Sequence, residues 1–199
     1  MGKSNAEEMQ FWTKAEFEQF ITAVQDKPAS YTAFMTMYYT GMRVGELCAL
    51  TPEDVNLENN TITINKTFQR INGRDVVWPP KTPKSNRVIT IPQTLADCLK
   101  SYMDKCYEIQ PNDRLFPYTK SFLNHEMLRG CKKSGVKKIR VHDLRHSHAS
   151  LLIEMGCQPL LIADRLGHEK IQTTLNTYSH LSPNKQAEVA QQLENLING

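Results

Sequence analysis

Several features that would place a chain in a familiar class are missing from this sequence of 199 residues. No apolar run approaches the roughly 20 residues of a membrane-spanning helix, and the N-terminus has no signal-type apolar region. Internal repeats are absent as well. The five cysteines are odd in number and form no CxxC pair, which favours buried free thiols in a reducing compartment. We therefore expect a soluble cytoplasmic protein.

The net positive charge is small, but the basic residues are unevenly distributed. The net charge is only +3, yet residues 66–87 and 129–145 together carry +11 and the rest of the chain carries −8. Two basic stretches give a polyanion two places to bind. The alternative for such charge runs is a pair of solvated surface loops, and only the motifs described below favour the polyanion.

Periodicity predicts a single domain that is mainly α with a small antiparallel three-stranded β-sheet, an α+β class. Apolar residues recur at helical spacing in segments that begin near Thr13, Tyr31, Leu95, Ser121, Val141 and Asn184. Alternating patterns at 61–64, 76–78 and 88–91, with Asn72-Gly73 as a hairpin turn, predict the strands.

The stretch 141–178 concentrates histidines, arginines and a terminal tyrosine, and Gly156 and Gly167 divide it into three predicted helices. His142 and Arg145 are three residues apart, so on one helix they can point at one small anion. Guanidinium groups donate paired hydrogen bonds to phosphate oxygens. The Tyr178 hydroxyl can act as a nucleophile, but an ordinary tyrosine pKa of about 10 leaves roughly a thousandth ionised at neutral pH. Its activation needs a base or a strongly positive surround.

Five motifs carry a resemblance to a known family. They are TGMRVGEL around Arg43, PKTPKSNRVITIP around Lys81, HDLRHSHAS around His142 and Arg145, LGH around His168, and TTLNTYSHL around Tyr178. In this order, and covering nearly the whole chain from Phe11, they resemble the catalytic domain of the tyrosine recombinases, the phage-integrase family of site-specific DNA recombinases. The resemblance implies that residues 11–199 form one catalytic domain of the tyrosine recombinase fold. Residues 1–10 are read as a linker or expression remnant, with the family's N-terminal core-binding and arm-binding domains absent.

The resemblance also implies a reaction, which is the cleavage and rejoining of DNA for integration or excision of a mobile element. Tyr178 would attack the scissile phosphate and form a 3′-phosphotyrosyl link with release of a 5′-hydroxyl. Lys81, placed on a mobile hairpin turn, would protonate the departing 5′-oxygen, and Lys84 is the alternative. His142 would be the acid/base partner of the tyrosine.

The remaining implied roles concern the phosphate. Arg43 and Arg145 would hold its non-bridging oxygens and stabilise the developing charge, while His168 would donate a hydrogen bond to it. Glu46 would orient Arg43 rather than touch DNA. The family needs neither a metal nor a nucleotide cofactor.

Other residues near these motifs have supporting interpretations. His146 and His148 are read as supporting or packing residues, because a zinc site of the HExxH kind lacks its glutamate here; Arg165 is also read as supporting. The expected contacts with the DNA backbone, which position DNA without reading its sequence, are Lys84, Arg87, Lys132, Lys133, Lys137, Lys138 and Arg140.

The expected partners are double-stranded DNA attachment sites, with possible accessory DNA-bending or directionality proteins in a bacterial host. The chain is expected to be a monomer alone and to bind DNA weakly. By resemblance it would form a homotetramer on DNA through its C-terminal helix. Two alternatives remain, a type IB topoisomerase-like DNA relaxase and a non-catalytic DNA-binding regulator that retains the fold.

Overall fold

The computed structural model describes residues 9–80, 82–178 and 186–198, without the side chains of 186–189. Most of the expected linker, residues 1–8, and the expected general acid Lys81 lie outside the described residues. In the described part helices predominate and the strands form small antiparallel sheets, so the predicted fold class is confirmed. No helix in these ranges is long and apolar enough to cross a membrane.

The helices follow the predicted segments closely. They are α1 (Lys14–Ala23), α2 (Pro28–Thr40), α3 (Val44–Ala49), α4 (Gln93–Met103), α5 (Lys120–Ser134), α6 (Asp143–Glu154), α7 (Pro159–Leu166), α8 (Ile171–Tyr178) and α9 (Gln186–Asn198). Short 3₁₀ turns occupy Pro52–Asp54 and Pro83–Ser85.

Local signals set several helix ends. Thr13 and Glu16 form a capping box at the start of α1, where a helical segment was predicted to begin. Thr13 accepts from the Glu16 backbone, and Glu16 accepts from the Thr13 backbone. Gly41 ends α2 in the left-handed conformation, at φ 65°. Gly167 ends α7 in the same way, at φ 66°. Both glycines therefore fix the direction in which the chain leaves a helix.

The strands pair differently from the expected single sheet. β1 (Val55–Asn56), β2 (Thr61–Ile64) and β5 (Arg87–Thr90) form one antiparallel sheet in the order β1-β2-β5. β3 (Thr67–Ile71) and β4 (Arg74–Trp78) form a separate hairpin. Asn72 and Gly73 both have positive φ at its turn, which matches the twist of a two-residue hairpin. The segment 76–78 therefore pairs within this local hairpin and not, as had been expected, in the three-stranded sheet. The third strand of that sheet is β1.

The main core lies between α1, α2, α4, α5 and the β1-β2-β5 sheet, and aromatic side chains fill much of it. The Phe17 and Tyr38 rings stack at 3.6 Å, and Trp12, 1% exposed, donates from Nε1 to the Lys137 carbonyl at 2.8 Å. A smaller apolar cluster of Ala149, Ile162, Leu166 and Tyr178 joins α6, α7 and α8. Of the five free cysteines, Cys48 and Cys131 are buried and the other three are partly buried.

Candidate active site

Arg145 joins the three parts of the chain that form the site. It lies in the first turn of α6 and is 3% exposed. Its Nη1 donates to the Gly41 carbonyl at 2.8 Å, and its Nη2 donates to the Leu166 carbonyl at 2.6 Å. These carbonyls end α2 and α7, two residues before Arg43 and His168 respectively. The buried guanidinium therefore sets the positions of both loops relative to α6.

Burial, together with repulsion from Arg43, lowers the pKa of Arg145 to about 9, so the group stays protonated at neutral pH. Among the described residues the guanidinium of Arg145 bonds to carbonyls and to no carboxylate, so it retains much of its positive field. An anion near Arg145 would therefore gain more than it would beside an exposed arginine.

Arg43 begins α3 and depends on Glu46 for its orientation. Its Nη1 donates to Glu46 Oε1 at 2.7 Å, while Glu46 Oε2 accepts from the Arg43 backbone at 2.8 Å. The same carboxylate pairs with Arg87 Nη2 at 2.8 Å. Burial opposes the charge on Glu46, but the hydrogen bonds from Arg87 and the Arg43 backbone hold its pKa below the ordinary value. The predicted role of Glu46 beside Arg43 is consistent with this geometry.

His168 is held through its backbone by α7 and through its side chain by α8. Its backbone N–H donates to the Ala163 carbonyl at 2.9 Å, beyond the left-handed Gly167. Its Nδ1 lies 2.7 Å from the hydroxyl of the buried Thr174, which leaves Nε2 for another partner. Burial and the charge of Arg145 lower the pKa of His168 to about 4, so the ring is neutral at neutral pH.

Tyr178 closes α8 and is 3% exposed. Its hydroxyl lies 2.8 Å from Nδ1 of His146, one turn along α6 from His142. Burial raises the pKa of Tyr178 to about 12, although Arg145 opposes the shift. The histidine within hydrogen-bond distance of the Tyr178 hydroxyl is therefore His146, whereas the sequence had indicated His142.

His142 lies at the start of α6 and is exposed. Together with Arg43 it lines a cleft of about 790 Å³ between α3, the β3 strand and the start of α5. A second cleft of about 490 Å³ lies on the other side of Arg43 and reaches His168. The two clefts share Arg43, Thr67 and Gln69, so an extended ligand can pass across Arg43 with His142 and His168 on either side.

Arg165 and His148, which also lie in the stretch 141–178, support the fold. Arg165 donates from Nε to His148 Nε2 at 3.1 Å and from its other nitrogens to the Thr90 and Tyr39 carbonyls. Burial and then Arg165 lower the pKa of His148 to about 3, so that ring is neutral. Arg165 therefore ties α7 to α2 and β5.

The expected DNA-contacting residues occupy several different environments. Lys84 is exposed on the Pro83–Ser85 turn, and Lys132 and Lys138 are exposed as well. Lys133, Lys137 and Arg140 are exposed but form ion pairs with Asp26, Glu16 and Asp143, at 3.2, 3.3 and 3.0 Å.

Arg87 differs from the rest of this set. Its side chain is 6% exposed and is bonded to Glu46 and to the Arg165 carbonyl, so the expected DNA-backbone contact finds no support in this position. Arg87 therefore acts as a structural partner of Glu46, the carboxylate that also pairs with Arg43.

Two groups in the site were not assigned to it from the sequence. His146 was read as supporting, although its spacing of four from His142 puts both on one helix face. The start of α5, with Thr119, Lys120 and Ser121, lines the larger cleft opposite Arg43. Thr119 caps that helix, so a capping threonine followed by lysine was the available signal.

Comparison with known proteins relates this arrangement to one family. The model of the phage integrase family matches residues 10–185. The ICEBs1 integrase of Bacillus subtilis (strain 168) is 34% identical over 203 residues, covering 95% of this chain and 55% of that protein. The chain thus spans about half the length of the curated relatives it matches.

Solved structures share the fold. The Tn1549 transposon integrase in complex with circular intermediate DNA superposes with a TM-score of 0.81 at 22% identity, covering 97% of this chain and 69% of that one. The catalytic domain of bacteriophage HP1 integrase gives a TM-score of 0.67 at 23% identity, covering 96% of this chain and 98% of that one.

Proposed function

The chain belongs to the phage integrase family, and we propose that it is the catalytic domain of a tyrosine-type site-specific DNA recombinase. It would cleave and rejoin DNA through a 3′-phosphotyrosyl intermediate, for integration or excision of a mobile element. The ICEBs1 integrase of Bacillus subtilis and the integrase of Staphylococcus phage L54a support the choice of reaction.

One observation carries the proposal. Arg145 is bonded to the Gly41 and Leu166 carbonyls, which places the Arg43 and His168 loops beside the helix that carries His146. His146 in turn contacts the Tyr178 hydroxyl. Separate parts of the chain thus bring two arginines, neutral histidines and a tyrosine to one place, which is the set of groups that phosphoryl transfer to tyrosine requires.

The proposed roles follow from charge and position. Arg43 and Arg145 hold the non-bridging oxygens of the scissile phosphate and stabilise the charge that develops on them. His168, neutral and held by Thr174 through Nδ1, donates from Nε2 to the phosphate. The clefts on both sides of Arg43 receive the DNA backbone.

Tyr178 attacks phosphorus, and the bond to the 5′-oxygen breaks. The departing oxygen takes a proton from Lys81, with Lys84 on the neighbouring exposed turn as the alternative donor. Neither metal nor cofactor enters these steps. Attack by the 5′-hydroxyl of a second duplex then reverses the chemistry and completes strand exchange.

The domain assignment and the partners are part of the same proposal. The match to nearly all of the HP1 catalytic domain supports reading residues 11–199 as one catalytic domain. The partner is double-stranded DNA carrying an attachment site, and a solved relative in complex with DNA supports this choice. A tetramer on DNA, joined through α9, is the assembly that recombination between two duplexes requires.

A nicked substrate tests the function. Attachment-site DNA with a nick beside the scissile phosphate loses its short 5′-hydroxyl strand after cleavage, so the covalent adduct accumulates and is seen on a denaturing gel. We expect an adduct from the wild-type chain and none from Tyr178→Phe, with DNA affinity changed less than about twofold because only one hydroxyl is removed.

Tyr107→Phe is the matched control, since Tyr107 is 88% exposed. It should form the adduct as the wild type does. Failure of the wild-type chain to form any adduct at saturating protein would reject the recombinase reaction, whereas relaxation of supercoiled DNA without paired sites would favour the topoisomerase alternative.

A further inference from the structure

His146 is the histidine in contact with the reacting oxygen. Its Nδ1 lies 2.8 Å from the Tyr178 hydroxyl, and the two rings are tilted by 57° with centroids 5.7 Å apart. This is the distance of a hydrogen bond between the two atoms. The contact joins two helices, α6 and α8, so it depends on the folded site and not on a local turn.

His142 occupies a different position. Its ring meets His146 edge-on at a centroid distance of 5.5 Å, and its side chain is exposed toward the cleft that it lines with Arg43. The two histidines are one helical turn apart and have different neighbours. His142 lines the cleft proposed for the phosphate, whereas His146 contacts the nucleophile.

The tyrosine needs a proton acceptor in this environment. With its pKa raised to about 12 by burial, only about one Tyr178 in a hundred thousand is ionised at pH 7. Arg145 opposes that shift without overcoming it. A base in hydrogen-bond contact removes the need for a free phenolate, because the proton moves as the oxygen attacks.

We propose that His146, and not His142, accepts the proton of Tyr178 during cleavage and returns it during rejoining. This inference rests on the recombinase function proposed above. In the forward step the O–H bond of Tyr178 breaks and its proton passes to Nδ1 of His146. The Tyr178 oxygen bonds to phosphorus, and the 5′-oxygen leaves with a proton from the lysine donor. In the reverse step the 5′-hydroxyl attacks, and the His146 imidazolium gives its proton back to Tyr178.

The tautomer of His146 tests the geometry without any DNA. A base must have Nδ1 free of a proton and Nε2 protonated, so that Tyr178 donates to it. Nitrogen-15 NMR of the imidazole ring at pH 7.5 should show that tautomer, and Tyr178→Phe should shift the Nδ1 resonance. A proton on Nδ1 would overturn the inference, since His146 would then be a donor to the tyrosine.

His146→Asn tests the chemistry. The asparagine amide oxygen falls near the position of Nδ1 and can still accept from Tyr178, but it has no basic lone pair. We expect adduct formation on the nicked substrate to slow about 100-fold or more at pH 7. Between pH 7 and 9 the variant should regain about tenfold per pH unit, as hydroxide replaces the missing base.

The wild-type rate should change little over the same range. Burial, and then His142, lower the pKa of His146 below its ordinary value, so the ring is already neutral. Charged and titratable groups that face it are His142, Asp143 and Arg145 on its own helix, Arg140 before that helix, His168 before α8, and Tyr178. None of them is altered in His146→Asn.

A substrate with sulfur in place of the bridging 5′-oxygen separates the two proton transfers. The thiolate leaves without a proton. This substrate should therefore restore adduct formation in a variant that lacks the lysine donor, but not in His146→Asn. His125→Asn, an identical change at an exposed position of α5, should behave as the wild type. Rescue of His146→Asn by sulfur, a wild-type rate at pH 7, or an equal loss at every pH would each overturn the inference.

These results also separate the inference from the function beneath it. No adduct from the wild-type chain rejects the recombinase reaction, and the role of His146 falls with it. An adduct from the wild type and an equally fast adduct from His146→Asn rejects the role of His146 alone.

Discussion

The carboxylate of Glu46 holds two arginines, Arg43 and Arg87. It is 6% exposed, it bonds Arg43 through both backbone and side chain, and it pairs with the buried side chain of Arg87. Removing one partner of a buried ion pair leaves an uncompensated charge, which costs about 3–5 kcal/mol. Glu46 therefore matters for stability as well as for the direction of Arg43.

We expect Glu46→Gln to lower the free energy of unfolding by about 3 kcal/mol at pH 7, measured by urea denaturation. Glu58→Gln, the same change at an exposed turn, should alter it by less than about 0.5 kcal/mol. Because the folded pKa of Glu46 is lowered, its contribution is complete above the unfolded value of 4.5 and is lost as pH falls through the lower folded value. A difference between wild type and Glu46→Gln that persists undiminished well below pH 4.5 would contradict the argument.

Single residues show where sequence reasoning succeeds and where it fails. Spacing predicted that His142 and Arg145 lie on one helix, and family motifs predicted Glu46 beside Arg43. Arg87 was expected to contact the DNA backbone, because a sequence shows its charge but not its pairing with a carboxylate 41 positions away. The contact of His146 with Tyr178, 32 positions apart, depends on how α8 packs on α6, which neither helix's own pattern specifies.

Helix ends are the elements best predicted here, since capping is a local property. Gly156 and Gly167 were expected to divide three helices, and both lie between helices with positive φ, at 77° and 66°. Strand pairing was predicted less well. β2 pairs with β5 across the intervening β3-β4 hairpin, with Ile62 opposite Ile89, and alternation in each strand carries no information about its partner.

The end of α2 is also closely packed, which makes a testable contrast between two glycines. A Cβ on Gly41 would lie 2.6 Å from Cδ2 of the buried His148 and 2.7 Å from Cδ2 of Leu166. Gly135, after α5, has φ 78° but nothing within 4 Å of such a Cβ. Both positions impose the left-handed penalty on alanine, and only Gly41 adds a collision.

We expect Gly41→Ala to lower the free energy of unfolding by about 3 kcal/mol, of which about 1–2 come from the backbone and the rest from displaced α6 and α7 side chains. Gly135→Ala should cost only about 1 kcal/mol. Urea denaturation of the two variants measures the difference. Equal losses of unfolding free energy in the two variants would contradict this expectation, because His148 and Leu166 would then accommodate the added Cβ without destabilising the fold.

Across the whole molecule, positive charge is divided between the site and the far end of α5. Arg43 and Lys120 line the larger cleft at the start of α5. Lys133 lies 13 residues further along that helix, about 20 Å away at 1.5 Å per residue, and pairs with Asp26. The basic residues at the end of α5 are thus partly neutralised by ion pairs, and they lie far from the clefts proposed for the DNA backbone.

This division predicts unequal effects of two equal charge changes on DNA binding. Lys120→Gln should weaken binding several-fold at 100 mM salt and reduce the slope of log affinity against log salt by about 1, because one phosphate contact is lost. Lys133→Gln removes the same charge from an ion-paired lysine and should change both quantities much less. Titration of labelled duplex at several salt concentrations measures them. Equal slopes for the two variants would mean that DNA spans the full length of α5, and that the far basic stretch binds phosphate after all.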